Sequence, residues 1–224
     1  MKNKYINVHT HQTIENSISE SIQNVSGDFD NIKEHGFFSV GLHPWHINAL
    51  TAKSCFAELA LVSQKTNVLA IGECGLDKLC NTNYELQKNW FVKQIEWANH
   101  IKKPLIIHCV RAHDEILQLL KSANNTSPVV FHGFNKKLTL ASKIIDHGYY
   151  LSFGKQLLWG NYSDIFKAIP IERIVFETDD AHVTIDEIYK SAAHIKNITL
   201  DILCQKVLNN NICVFGKNFT NLNE

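Results

Sequence analysis

The chain has 224 residues, which suits one domain or a small pair, and 45% of them are hydrophobic, ample for a core. Lys plus Arg and Asp plus Glu number 22 each, so the formal net charge is zero. That balance argues against a strongly basic protein that coats nucleic acid, and it leaves room for a local phosphate-binding pocket. None of the six cysteines (Cys55, Cys74, Cys80, Cys109, Cys204, Cys213) forms a C-x-x-C pair, so a zinc ribbon has no support. Free thiols suit a reducing compartment, and a cytoplasmic protein is expected. Met1-Lys-Asn-Lys leads into a short strand-like run, not a signal peptide. No stretch is long enough to span a membrane, so no membrane partner is expected.

Short apolar runs alternate with helical spacing along the chain. Residues 4–8 read as a strand, and residues 19–25 carry a weak strand signal. Residues 37–42 form a strand ended by His43-Pro44, and 51–65 carry helical spacing. A strand over 68–72 runs into Glu73. Residues 84–102 are the clearest helix, with Leu86, Trp90, Phe91, Ile95, Ala98 and Ile101 on one side. Strands follow at 104–108, 128–132, 149–152 and 173–178, and helices at 113–123, 136–146, 161–168, 184–196 and 199–213. Continuous apolar strands alternating with helices predict a buried parallel sheet. The expected fold is α/β: a compact, distorted TIM-like (β/α) barrel with seven clear strands and a possible eighth. Its first two units are trimmed, since little room for helices lies between His11 and Phe37. One domain over 1–217 is expected, with a short frayed tail over 218–224.

Six potential metal ligands sit at predicted strand ends: His9, His11, Glu73, His108, His132 and Asp179. A parallel barrel gathers such ends on one rim. His9 and His11, two apart in a strand, face the same way. Four imidazoles and two carboxylates suffice for two divalent ions, which can activate water for hydrolysis. The bland alternative buries several polar side chains at one rim without a partner, which is costly.

The ordered motifs are Val8-His-Thr-His11, Gly41-Leu-His-Pro44, Ile71-Gly-Glu-Cys-Gly-Leu-Asp77, Pro104-Leu-Ile-Ile-His108, Phe131-His-Gly-Phe134 and Glu177-Thr-Asp179. Together they resemble the TatD family of metal-dependent hydrolases, within the amidohydrolase-like barrel superfamily. The likeness runs from about residue 5 to Gly216. It implies that His9, His11 and Asp179 hold one ion, that His108 and His132 hold a second, and that Glu73 bridges both. The ions would be Mg²⁺, Mn²⁺ or Zn²⁺. A hydroxide shared by them is the implied nucleophile, with Asp179 taking the water's proton. The resemblance also implies deoxyribonuclease activity, and the balanced charge points to DNA ends or short single strands. A monomer is expected.

His43 could touch substrate or simply fix its turn, and His46 reads as a surface residue. Arg111 could clamp a phosphate, although many relatives place this arginine one position earlier. Asp77 could orient Arg111 or a ligand, or serve a turn. Glu177 shares a facing with Asp179 under strand alternation and could support a ligating histidine. Trp45 and Trp159 could stack a base, with core or rim packing the simpler reading. The chain departs from the family at Asn7, where an aspartate is common, and at Asp180-Ala181-His182. Rival readings are hydrolysis of an acyl ester or amide, such as a misacylated tRNA or a small cyclic amide, and a metal-binding module without turnover.

Overall fold

The computed structural model describes residues 5–12 and 19–219. The expected leader-free start at Met1–Lys4 and most of the expected tail lie outside the described residues. The strands are β1 (Tyr5–Thr10), β2 (Ser19–Ser26), β3 (Phe37–Gly41), β4 (Val68–Asp77), β5 (Leu105–Val110), β6 (Val129–Phe131), β7 (Tyr150–Phe153) and β8 (Ile174–Phe176). They form one sheet in the order β1 to β8. The described pairings are parallel. The helices are α1 (Ala52–Val62), α2 (Tyr84–Ile101), α3 (His113–Ser122), α4 (Leu138–Asp146), α5 (Ser163–Ala168), α6 (Ile185–Lys196) and α7 (Leu200–Phe215). The expected TIM-like α/β architecture is therefore present, and the weak run at 19–25 is a genuine strand.

The chain divides into two compact units: Met1–Gln23 with His132–Glu224, and Asn24–Phe131. In the first, β1 pairs with β2 on one side. On its other side it meets the residues after β8, where Asp179 N–H donates to the His9 carbonyl at 3.0 Å and His11 N–H to the Asp179 carbonyl at 3.2 Å. Tyr189 of α6 locks the start of β1, exchanging 3.2 Å hydrogen bonds with the Ile6 backbone through its hydroxyl. A capping box of Thr184 and Glu187 starts α6, and Thr199 caps α7.

In the second unit, β4 is buried along its whole length and is longer than the sequence suggests. Gly72, Glu73 and Gly75 look like a strand end, yet Gly75, Leu76 and Asp77 pair with His108, Cys109 and Val110. Glycine permits this close ladder. Gly75 has φ +143°, and a Cβ there would lie 2.0 Å from the His108 carbonyl oxygen. Gly75→Ala is expected to cost about 4 kcal/mol or more, or to prevent folding, because neither backbone can yield. A urea midpoint equal to that of wild type would refute this.

Helix α2 packs on β4, but its buried face includes Gln87 and Gln94 as well as Phe91, Ile95 and Ala98. Leu86 and Trp90, read as core-facing, are only partly buried. The two glutamines replace missing backbone partners at strand exits. Gln94 accepts from Leu42 N–H at 2.7 Å and donates to its carbonyl at 3.2 Å. Gln87 does the same for Asp77, at 2.8 and 3.0 Å. Each therefore anchors a strand end that carries site residues.

Candidate metal centre

In the first unit, β1 and the residues after β8 bring His9, His11 and Asp179 together. Both Nε2 atoms lie 3.5 Å from Asp179 Oδ1. The two rings stand edge to face, 5.0 Å between centroids, as their i, i+2 spacing on one strand face predicts. Ligand atoms of all three lie within 4.8 Å of one another. His132, just beyond β6, has its ring 4.6 Å from that of His9.

Strand alternation does not explain Glu177 and Asp179, because β8 ends at Phe176. Asp179 has φ +54°, so the chain turns there instead of continuing a pleat. Glu177 nevertheless reaches the histidine cluster: its Oε1 lies 3.7 Å from His132 Nδ1 and accepts from Gly133 N–H at 2.6 Å.

Asn7 holds this turn. Its Nδ2 donates to Thr178 Oγ1 at 2.8 Å, and Thr178 N–H donates to Asn7 Oδ1 at 3.0 Å. The departure from aspartate thus supplies a donor and an acceptor to the residue next to Asp179. Asn7→Ala should lower stability by about 1–3 kcal/mol, because it strands buried partners on Thr178. Urea denaturation would show it, and an unchanged midpoint would refute it. The unusual Asp180 is also engaged: Lys155 Nζ lies 3.1 Å from its Oδ1.

In the second unit, β3, β4 and β5 bring His43, Glu73 and His108 together, with ligand atoms within 4.8 Å. Glu73 Oε1 lies 2.6 Å from His108 Nδ1 and 3.2 Å from His43 Nε2. Glu73 lies within β4, not at its end, and its N–H donates to Asn24 Oδ1 at 2.7 Å. Ser39 in turn donates to Asn24 Oδ1 at 3.2 Å. Burial pushes the His43 imidazole below its ordinary pKa, against the raising effect of Glu73. The neutral ring holds one N–H and one lone pair.

His43 therefore combines two geometries. Its Nδ1 accepts from Trp45 N–H at 3.2 Å, which fixes the turn, while its Nε2 faces Glu73. Asp77 Oδ2 lies 3.3 Å from His108 Nε2 and accepts from the Trp45 indole at 2.6 Å. Its Oδ1 accepts from Leu79 N–H at 2.7 Å. Burial raises the Asp77 carboxyl, but the hydrogen bonds from Trp45, Leu79 and His108 together hold it below the usual carboxylate range. Asp77 thus orients a candidate ligand and serves a turn, and Arg111 is not among these partners. Arg111 is exposed and sits at φ +55°.

Trp45 and Trp159 are not core residues: they are 58% and 64% exposed. His46 is exposed, as expected. Cys74, next to Glu73, is buried with its Sγ toward the Ile71 and Ile106 carbonyls. Burial raises its thiol pKa strongly, which makes it inert. Sequence reasoning missed Asn24, Gln87 and Gln94. The glutamines had a signal, since polar residues seven apart on an otherwise apolar helix face need buried partners. Asn24 had none, lying on the weakest strand.

Imidazole nitrogens with carboxylate oxygens form a donor set suited to divalent cations, and the burial of His9, Glu73 and His108 is costly without pairing or a metal, whereas His11 is exposed and Asp179 partly so. The fold and these clusters define a metal-dependent hydrolase on a TIM-like barrel. The comparisons carry this to a family: residues 3–216 match the TatD related DNase family, and the chain belongs to it. An uncharacterized metal-dependent hydrolase of Buchnera aphidicola subsp. Baizongia pistaciae is 30% identical over 190 residues, 82% of this chain and 69% of that protein. A TATDN1 homolog of Enterocytozoon bieneusi, named as a candidate deoxyribonuclease, is 31% identical over 166 residues, 70% of this chain and 60% of that one. The crystal structure of YjjV, a TatD homolog from Escherichia coli K12, superposes with a TM-score of 0.83 at 19% identity, covering 96% of this chain and 99% of that chain. At that identity the likeness speaks to fold alone.

Proposed function

We propose that the protein is a metal-dependent deoxyribonuclease that hydrolyses phosphodiester bonds at DNA ends or in short single strands. The observation that carries this is the His9–His11–Asp179 cluster, with its ligand atoms within 4.8 Å, in a chain of the TatD related DNase family. The candidate deoxyribonuclease name of one relative points the same way. Two divalent ions, Mg²⁺, Mn²⁺ or Zn²⁺, are proposed. His9, His11 and Asp179 would hold one, and Glu73 and His108 would hold the other. The family resemblance adds His132 to the second set and gives Glu73 to both ions. Bound cations supply a Lewis acid that acidifies water and stabilises charge on a phosphoryl oxygen.

The chain's own residues do the rest. Asp179 accepts the attacking water's proton at its carboxylate and keeps that water aimed. Asp77 holds the His108 ring and Glu177 supports His132, fixing each imidazole's orientation. His43 and Arg111 are proposed to contact substrate. The free cysteines among the described residues suit a reducing cytoplasm. No helix among the described residues is long and apolar enough to cross a membrane. A monomer is proposed, and light scattering tests it.

The functional test is cleavage of single-stranded DNA by metal-stripped protein with Mg²⁺, Mn²⁺ and Zn²⁺ added back in turn. Metal-dependent cleavage is expected. Measured metal binding with no cleavage under any of the three would overturn the reading.

A further inference from the structure

The first unit contains a cavity of about 370 Å³ with Asp179 in its wall. That volume falls in the range of about 300–1,000 Å³ typical of small-ligand sites. A group bound there sits beside the proposed proton acceptor. Two aromatic residues line it. Trp159 leaves most of its indole exposed, and buried Tyr162 is held by a 2.5 Å hydrogen bond from its hydroxyl to the Lys136 carbonyl. The exposed amides of Asn135 and Asn161 add neutral donors and acceptors.

The cavity's remaining wall is built in advance. Gln156 accepts from Gly154 N–H at 3.0 Å and donates to the Phe134 carbonyl at 2.8 Å, joining the segments that follow β6 and β7. One cation, Lys155, stands at this wall. Its partner is Asp180 at 3.1 Å, and the two side chains are 47% and 70% exposed. An ion pair so exposed is weak, so an incoming phosphate can compete for the ammonium.

The wall also carries the carboxylates of Glu177 and Asp179, on the side of the histidine cluster. Away from them a planar aromatic face, neutral amides and a single cation complement a nucleotide: a planar base, its polar edge and one phosphate. We infer that this cavity is a mononucleotide subsite, in which Trp159 stacks the base of a terminal nucleotide and Lys155 binds its phosphate. The inference deepens the deoxyribonuclease reading and rests on it. It identifies the feature that favours an end over duplex interior, because only an unpaired base can enter and stack. Base–aromatic stacking tolerates any base, so little sequence preference follows.

Ligand-observed NMR titrations on metal-free protein test it, with thymidine 5′-monophosphate and 2-deoxyribose 5-phosphate as probes. Trp159→Ala should weaken thymidine monophosphate about tenfold or more and leave the sugar phosphate unchanged. Trp159→Phe should restore most of that loss, and Lys155→Met should weaken both probes. Wild-type protein that does not bind thymidine monophosphate at millimolar concentration, or Trp159→Ala binding it as wild type does, would overturn the subsite. The two readings fail separately. Trp159-dependent nucleotide binding without DNA cleavage by metal-loaded protein would count against the deoxyribonuclease. Metal-dependent cleavage with nucleotide affinity independent of Trp159 would count against the subsite.

Discussion

Asp179→Asn is expected to leave the fold intact and to lower DNA cleavage by about 10²–10⁴-fold, the contribution of a positioned general base. The backbone favours this substitution as a clean test. Asp179 sits at φ +54°, a conformation that asparagine tolerates better than most residues. Its structural hydrogen bonds, to the His9 carbonyl and from His11 N–H, use main-chain atoms and survive the change. What is lost is the anionic oxygen 3.5 Å from both His9 and His11 Nε2. The carboxamide cannot accept a proton and is a poorer metal donor. Steady-state cleavage of single-stranded DNA, beside a circular-dichroism melt, separates chemistry from folding. Turnover near that of wild type would sink the role assigned to Asp179.

Glu73→Ala should remove metal together with activity. Glu73 is 3% exposed, with its Oε1 at 2.6 Å from His108 Nδ1 and 3.2 Å from His43 Nε2. Its N–H bond to Asn24 is a main-chain contact and remains. Partners that only support a ligand typically change metal affinity by about 10–100-fold, so loss of Glu73 in the role proposed for it should exceed about 100-fold. Glu73→Gln, which keeps the side-chain volume, guards against a packing defect. Elemental analysis after dialysis against a weak chelator gives the count. Both ions retained at wild-type affinity in either variant would make the assignment of Glu73 to both ions wrong.

Much of the candidate site was legible because its ligands terminate apolar runs. A histidine after Leu-Ile-Ile or Val-Val-Phe has no bland use in apolar surroundings, although His108 proves to lie inside β5, two residues before its end, and only His132 follows the end of its strand. H-x-H on a strand needs only local geometry to share a face. Other elements could not be read locally. β4 looked as if it stopped at Gly72, because glycine and glutamate resemble a strand terminus. Only its pairing with β5 carries it on to Asp77. Strand alternation does not govern Glu177 and Asp179, because the chain leaves β8 two residues earlier than the apolar pattern suggests, and Asn7 then holds the turn.

The amino-acid order by itself determined the α/β class, the strand–helix rhythm and the identity of the candidate ligands. All three follow from short-range periodicity and residue chemistry. The tertiary structure alone decided which side chains meet: His43 with Glu73 and His108, Asp77 with His108 and Trp45, Asn7 with Thr178, and Lys155 with Asp180. These partners lie 25 to 171 residues apart along the chain. No local pattern encodes such pairs, because they are set by sheet register, by the glycines that let strands approach, and by which buried polar group must find a partner.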